Sequence, residues 1–226
     1  LISDMTSFRQ LADDHGLFLV EDAAQSHGAR CDGQRSGSTG DIATFSFFPG
    51  KNLGAYGDGG AVVSQDTALI ERIRSLRNHG RSPGEKFLHG AVGRNSRLDN
   101  LQAAILRVKL LQLDKWNNAR RVIAEKYRVG LANRFKVPYV PPGYEHVFHI
   151  YCLRIAERDE VATWLKENGI ASGLHYPLPV HQQPGLIDVI SQRPLRCAVA
   201  EDLAETCLSL PIFPEMSDAQ VEAVIN

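Results

Sequence analysis

Cysteine is scarce: Cys31, Cys152, Cys197 and Cys207 are the only four in 226 residues, widely spaced and without a C-x-x-C pair. That spacing excludes a clustered zinc site and a dense disulfide framework, and it reads as reduced structural thiols in a cytoplasmic protein. No apolar stretch approaches the roughly 20 residues that a membrane span requires, and the first residues run straight into a mixed helical pattern rather than a leader. An excess of charge is missing too. The 25 Lys and Arg against 26 Asp and Glu leave a formal net charge of −1, with no basic run of the kind that nucleic acid or a membrane surface would attract. Internal repeats and low-complexity tracts are likewise absent. What is present is an ordinary globular composition, 43% hydrophobic and 23% charged, enough for one large or two smaller cores. The expected partner is a small molecule or another protein chain.

Hydrophobic spacing lays out the elements. Phe8, Leu11 and Ala12 predict a first helix over Ser3 to His15, capped by Ser3 or Thr6 and stopped by Gly16. Leu17-Phe-Leu-Val20 reads as a strand covered on both faces, because it does not alternate. Asp22 and Gln25 then fall just past its carboxyl end, where open α/β sheets place ligands. Further strands are expected at Asp41 to Phe48 and Gly60 to Ser64, followed by a helix over Thr67 to Arg77 and a long loop from Asn78 to Gly93. Leu98 to Ala132 is strongly helical, with a bend or break expected near Trp116-Asn-Asn118. The proline-rich run Val137-Pro-Tyr-Val-Pro-Pro-Gly143 cannot continue a helix and marks a linker. We therefore expect an α/β domain over residues 1–135. A smaller α+β domain over 136–226 would hold a strand around Phe148 to Ile155, a helix from Asp159 to Asn168, a loop from His175 to His181, and two short helices near the end.

The chemistry concentrates in Thr44-Phe-Ser-Phe-Phe-Pro-Gly-Lys51, with Asp22-Ala-Ala-Gln25 upstream. An amine that closes an apolar run, and a carboxylate that ends an earlier strand, are what pyridoxal phosphate (PLP) needs: a Schiff-base partner and an anion that keeps the pyridine nitrogen protonated. Each residue also has a plainer reading. Lys51 alone fits a surface lysine beside a turn, Asp22 a cap, Ser46 either a polar residue tolerated in a strand or a hydroxyl that takes a phosphate oxygen, and Gln25 either the end of a turn or a hydrogen bond to a ring substituent.

The combination carries more than its parts. Val20-Glu-Asp-Ala-Ala-Gln-Ser-His-Gly-Ala29, Gly40-Asp-Ile-Ala-Thr-Phe-Ser-Phe-Phe-Pro-Gly-Lys-Asn-Leu53 and Gly57-Asp-Gly-Gly-Ala61 closely resemble the DegT/StrS sugar aminotransferases, which are fold-type I PLP enzymes. Similarity continues through Arg77-Asn-His-Gly80, Gly93-Arg-Asn-Ser-Arg-Leu-Asp99, Gln102-Ala-Ala104, His175-Tyr-Pro177 and Leu208-Ser-Leu-Pro211.

The resemblance implies a partial fold-type I architecture: the back half of a large mixed α/β sheet domain, and a small α+β domain after it. It implies PLP bound through Lys51, with Asp22 on the ring nitrogen, Gln25 on the ring or its hydroxyl, and Ser46 on the phosphate. Asn95 would reach the phosphate of a neighbouring subunit, so a homodimer with shared active sites follows. His175, Tyr176 and His181 match the family loop near the substrate; a turn packed around Pro177 and Pro179 is an equal alternative for each. The implied reaction is transamination of a nucleotide-linked keto-deoxysugar with glutamate as donor. The lean is towards 3-keto-6-deoxyhexoses, carried by Asn95-Ser-Arg-Leu-Asp99 and Leu113-Asp-Lys-Trp-Asn117. Family members resembling PLP-dependent sugar dehydratases have histidine where Lys51 stands, and others resemble PLP-binding regulators without turnover. The family also carries a long region before the position of Leu1. The chain is therefore expected to be a fragment, inactive by itself, with sheet edges and an apolar face laid open.

Two rivals are weaker. Gly54-x-x-Gly57-x-Gly59-Gly60 does not match the dinucleotide fingerprint and precedes a strand rather than a helix. His146-x-x-His149, in a strand, would face opposite sides with no third ligand, so no metal site is expected.

Overall fold

Asp4, rather than Ser3 or Thr6, starts the first helix: its carboxylate accepts the Ser7 N–H at 3.1 Å ahead of α1, Met5–Asp14. Gly16 ends it in the left-handed region at φ 59°, which lets the Leu17 N–H return to the Ala12 carbonyl at 2.7 Å. The computed structural model describes residues 1–186 and 196–226. Two compact units make up the chain, Leu1–Asn118 with Val140–His149, and Ala119–Tyr139 with Ile150–Asn226. The composition-based boundary at 135 thus differs from the division by compactness, which falls after Asn118.

The first unit is built on a mixed three-stranded sheet in the order β1 (Val20–Asp22), β4 (Ile42–Ser46), β5 (Gly60–Val63). β1 runs parallel to β4 with Asp22 opposite Thr44, and β5 returns antiparallel with Gly60 opposite Ser46. The connection from β1 to β4 contains a hairpin of β2 (Arg30–Cys31) and β3 (Gln34–Arg35). Its two turn residues, Asp32 and Gly33, both have positive φ, as the right-handed strand twist demands. β6, Tyr144–Glu145, pairs with β2. Asp66 caps α2, Thr67–Leu76, by accepting the Ala68 and Leu69 N–H groups.

Three expectations about this unit need correcting. The apolar run at Leu17 is not the strand: β1 starts at Val20 and ends on Asp22. It is not covered on both faces either, since Phe18 is 62% and Val20 59% exposed. The long helix breaks at Leu111–Gln112, between α3 (Asn100–Leu110) and α4 (Leu113–Leu131), not at Trp116–Asn118. Asparagine destabilises a helix by offering its amide to the nearby backbone; Asn117 instead spends its amide on distant partners and the helix passes through it intact.

The second unit is α+β. β7, Tyr151–Arg154, and β8, Cys207–Leu210, form an antiparallel pair beside α5 (Arg158–Glu167), α6 (Ala198–Thr206) and α7 (Asp218–Ile225). Its core sets Tyr127 against Tyr151 with ring centroids 5.1 Å apart, and the Tyr127 hydroxyl donates to the Pro211 carbonyl at 2.8 Å. The two late helices are as expected, but β8 between them is additional. All four of its residues are buried, so it lacks the alternation that would have marked it. The strand placed at Phe148 starts only at Tyr151, and His146 and His149 lie outside any strand.

Candidate active site

The parallel pairing of β1 with β4 brings the first candidates to one end of the sheet. Asp22 closes β1 opposite Thr44, the Ala23 N–H donates to the Thr44 carbonyl at 2.9 Å, and Ser46 stands two residues further along β4. One Asp22 oxygen accepts the Ala24 N–H at 3.0 Å, while the carboxylate stays exposed. Gln25 lies exposed in the turn that follows. The Ser46 hydroxyl accepts the Phe48 N–H at 3.3 Å, which turns the chain out of the strand.

Lys51 closes that turn, its N–H donating to the Phe48 carbonyl at 2.9 Å. The loop shuts at Ala55, whose N–H reaches the Phe47 carbonyl at 2.8 Å. Gly54 is required here, since a Cβ on it would stand 2.3 Å from the Pro49 oxygen. Behind the loop, Lys109 donates to the Gly54 carbonyl at 2.5 Å, and its ammonium sits 5.0 Å from the centre of the Tyr56 ring. The Gln102 side chain accepts the Tyr56 N–H at 2.8 Å. The apolar wall expected around Lys51 is thinner than its three phenylalanines suggest: Phe45 and Phe47 are half-buried, but Phe48 is exposed.

Sequence reasoning missed three residues. His27 is buried against Phe45 and Phe47, at centroid distances of 5.3 and 6.0 Å, and neither ring nitrogen makes a well-formed hydrogen bond. Burial first, then the charge of neighbouring Lys51, push the imidazole from 6.5 down to about 4, against a smaller opposing pull from the Ser46 backbone. The other two are Asn52 and Asn117, both buried. The Asn52 amide donates to the Asn117 side chain and to the Val147 carbonyl, each at 2.8 Å, and Asn117 donates to the His27 carbonyl at 2.9 Å. The signals available were their places in the family-like strings and, for Asn117, an asparagine inside an amphipathic helix, where propensity disfavours it.

The depressed imidazole gives a pH prediction. Above pH 6.5 His27 is neutral in both folded and unfolded chains and its contribution to stability is complete; as pH falls towards 4 the unfolded chain takes up a proton that the native one refuses, and that contribution is lost. Urea midpoints measured between pH 7 and 4 should decline less steeply, by one proton's worth of slope, in His27→Gln than in the parent. Parallel declines would contradict this assignment.

The remaining candidates lie elsewhere. Asn95 is exposed on a ribbon bridged to Asn78, with its side-chain oxygen accepting from Arg97 at 3.2 Å. His175, Tyr176 and His181 belong to the second unit. His175 Nδ1 is 2.9 Å from the Ser209 hydroxyl, Tyr176 is exposed, and His181 Nε2 is engaged 2.9 Å from a Glu201 carboxylate oxygen. Among the described residues no group of three or more His, Cys, Asp or Glu side chains could hold a metal ion. No helix among them is long and apolar enough to cross a membrane.

A family model described as the DegT/DnrJ/EryC1/StrS aminotransferase family matches residues 1–226. The chain belongs to that family. It is 45% identical over 228 residues to the dTDP-3-amino-3,4,6-trideoxy-alpha-D-glucose transaminase of Streptomyces venezuelae, covering 99% of this chain and 59% of that one. The fold matches the crystal structure of S. venezuelae DesV in complex with a ketimine intermediate, with a TM-score of 0.92, 46% identity, and coverage of 99% and 60%. It also matches the NtdA of Bacillus subtilis with bound cofactor PMP, with a TM-score of 0.89, 29% identity, and coverage of 99% and 52%. The DegT/StrS chain described here thus spans about three-fifths of the length of the transaminase it resembles, and its mixed α/β fold is that of this part of the aminotransferase structures.

Proposed function

We propose that this chain takes part in PLP-dependent amination of the C3 keto carbon of a nucleotide-linked 6-deoxyhexose, with glutamate as the amino donor, in a cytoplasmic homodimer with shared active sites. The observation that carries the reading is the donor set at the ends of β1 and β4: a carboxylate at Asp22, a hydroxyl at Ser46 and a primary amine at Lys51. One acid, one phosphate-binding hydroxyl and one imine-forming amine are what PLP requires of a protein, so these residues fit the group. The family membership and the naming of a relative as a dTDP-3-amino-sugar transaminase support the substrate class.

When bound, PLP supplies an electron sink that lets an amino group pass from donor to acceptor. Lys51 would hold it by Nζ, Asp22 would face the ring nitrogen, Gln25 the ring, and Ser46 the phosphate, joined by Asn95 from a second protomer. Once free of the cofactor, Lys51 Nζ takes the proton from the α carbon of the donor and returns one to the sugar C3. Neutral His27 adds no second positive charge beside it. His175, Tyr176 and His181 are assigned to the sugar side.

A panel of 3-keto and 4-keto nucleotide sugars, presented with glutamate and PLP to the intact polypeptide that carries this chain and followed by product mass, tests the reading. Amination of the 3-keto members is expected. Turnover confined to 4-keto sugars would refute the assigned carbon, and absence of amination across the panel would refute the activity.

A further inference from the structure

We infer that Asn52 and Asn117 are positioning residues that hold the Lys51 turn against the turn following Asp22 and Gln25, a role that rests on the reading of Lys51 as the cofactor-bearing amine. The geometry is a single chain of buried amides. Asn52, next to Lys51, uses both of its donor hydrogens, on Asn117 Oδ1 and on the Val147 carbonyl. Asn117 accepts from one side and passes its own donor to the His27 carbonyl on the other. One helical side chain therefore touches both halves of the site: the segment after β1 through His27, and the segment after β4 through Asn52.

The surroundings are shaped to this amide. Gly28, at φ 82°, leaves room for it, since a Cβ there would come within 2.9 Å of the Asn117 nitrogen. Main-chain bonds close the Lys51 loop on itself, but a closed loop can still tilt as a body. Lys109 on the Gly54 carbonyl and Gln102 on the Tyr56 N–H hold the far end of the loop, and the amide chain is the polar tie that fixes this tilt at the lysine end. Burial makes the tie specific: an unmatched amide in a dry site costs more than the bond it forms contributes, so the position with all three contacts made is strongly selected. Within this amide network, Asn52 Oδ1 is buried with no hydrogen-bond partner among the described residues.

The test separates holding from mere folding. Asn117→Ala and Asn52→Ala, with Tyr127→Phe as a control that loses a buried hydrogen bond in the second unit, are compared in the intact polypeptide. Native-state hydrogen exchange should accelerate by about tenfold or more at the Lys51 and Ala55 amides in both asparagine variants, while the β7–β8 ladder amides change far less. Tyr127→Phe should show the reverse distribution. With PLP added, borohydride should label Lys51 more slowly in the asparagine variants, at a shifted pH midpoint, and unchanged in the control; Asn117→Gln should restore part of the rate. Unchanged exchange at Lys51 and Ala55 would overturn the inference whatever the cofactor does, as would acceleration spread evenly over both units. Normal labelling kinetics in variants with loosened exchange would also overturn it. Failure of the parent itself to label at Lys51 would instead count against the proposed function.

Discussion

On the proposed function, Lys51→Ala should abolish borohydride-dependent attachment of PLP to the chain and lower glutamate-dependent amination by at least about 10³-fold, since the residue proposed as both covalent anchor and proton carrier is removed. The fold should not notice. Among the described residues the Lys51 ammonium makes no hydrogen bond or ion pair, and the turn is closed by backbone groups and by the side chains of Ser46, Asn52 and Lys109 rather than by that of Lys51. Stability measured by urea should therefore stay within about 0.5 kcal/mol of the parent. That pairing of outcomes is the check. A variant that loses labelling and unfolds would show only that the loop is damaged, whereas full labelling of the stable variant at another residue would remove Lys51 from the chemistry.

Gly54→Ala should do the opposite, wrecking the loop while leaving every reactive group in place. An added Cβ would sit 2.3 Å from the Pro49 oxygen, 2.7 Å from its carbonyl carbon and 2.9 Å from the Phe48 oxygen. All three are backbone atoms, so no side-chain rotation relieves the clash, and the turn must open. We expect a loss of about 3 kcal/mol or more, read from urea denaturation, with weakened labelling at Lys51. Gly185→Ala, where nothing among the described residues lies within 4 Å of the new carbon, is the matched control and should be near neutral. A Gly54→Ala variant as stable as this control would mean that the tight return of the chain over Pro49 is wrong.

How legible was this site before the fold was seen? Lys51, Asp22 and Ser46 could be nominated as candidates because the family writes them in contiguous strings, and because a lysine after an apolar run has few uses. The helices were legible for a local reason: α2 starts at a capping aspartate and α1 stops at a glycine, signals a few residues long. What escaped was non-local. Asn52 and Asn117 are 65 residues apart, and Asn117 and His27 are 90 apart, so no spacing rule connects them. Asn117 misled in a second way, because the dipeptide it forms with Asn118 looks like a helix breaker until its tertiary partners are known. β8 was hidden by burial on all sides. The exposure of Phe18 and Val20 contradicts their apolarity as a local cue, for apolarity says that a residue seeks cover and not that these 226 residues provide it.

Lys51 stands on a turn that asks nothing of its side chain. The loop is shaped by Gly54, by carbonyls and by the neighbouring asparagine, so position 51 behaves as an interchangeable socket on a rigid mount. On the proposed role of Lys51, a lineage could swap the group presented there, and with it the chemistry, in one mutational step and without first acquiring a compensating change elsewhere. Divergence of chemistry in such a scaffold is cheap, and this separation between what shapes the loop and what it presents would make it so.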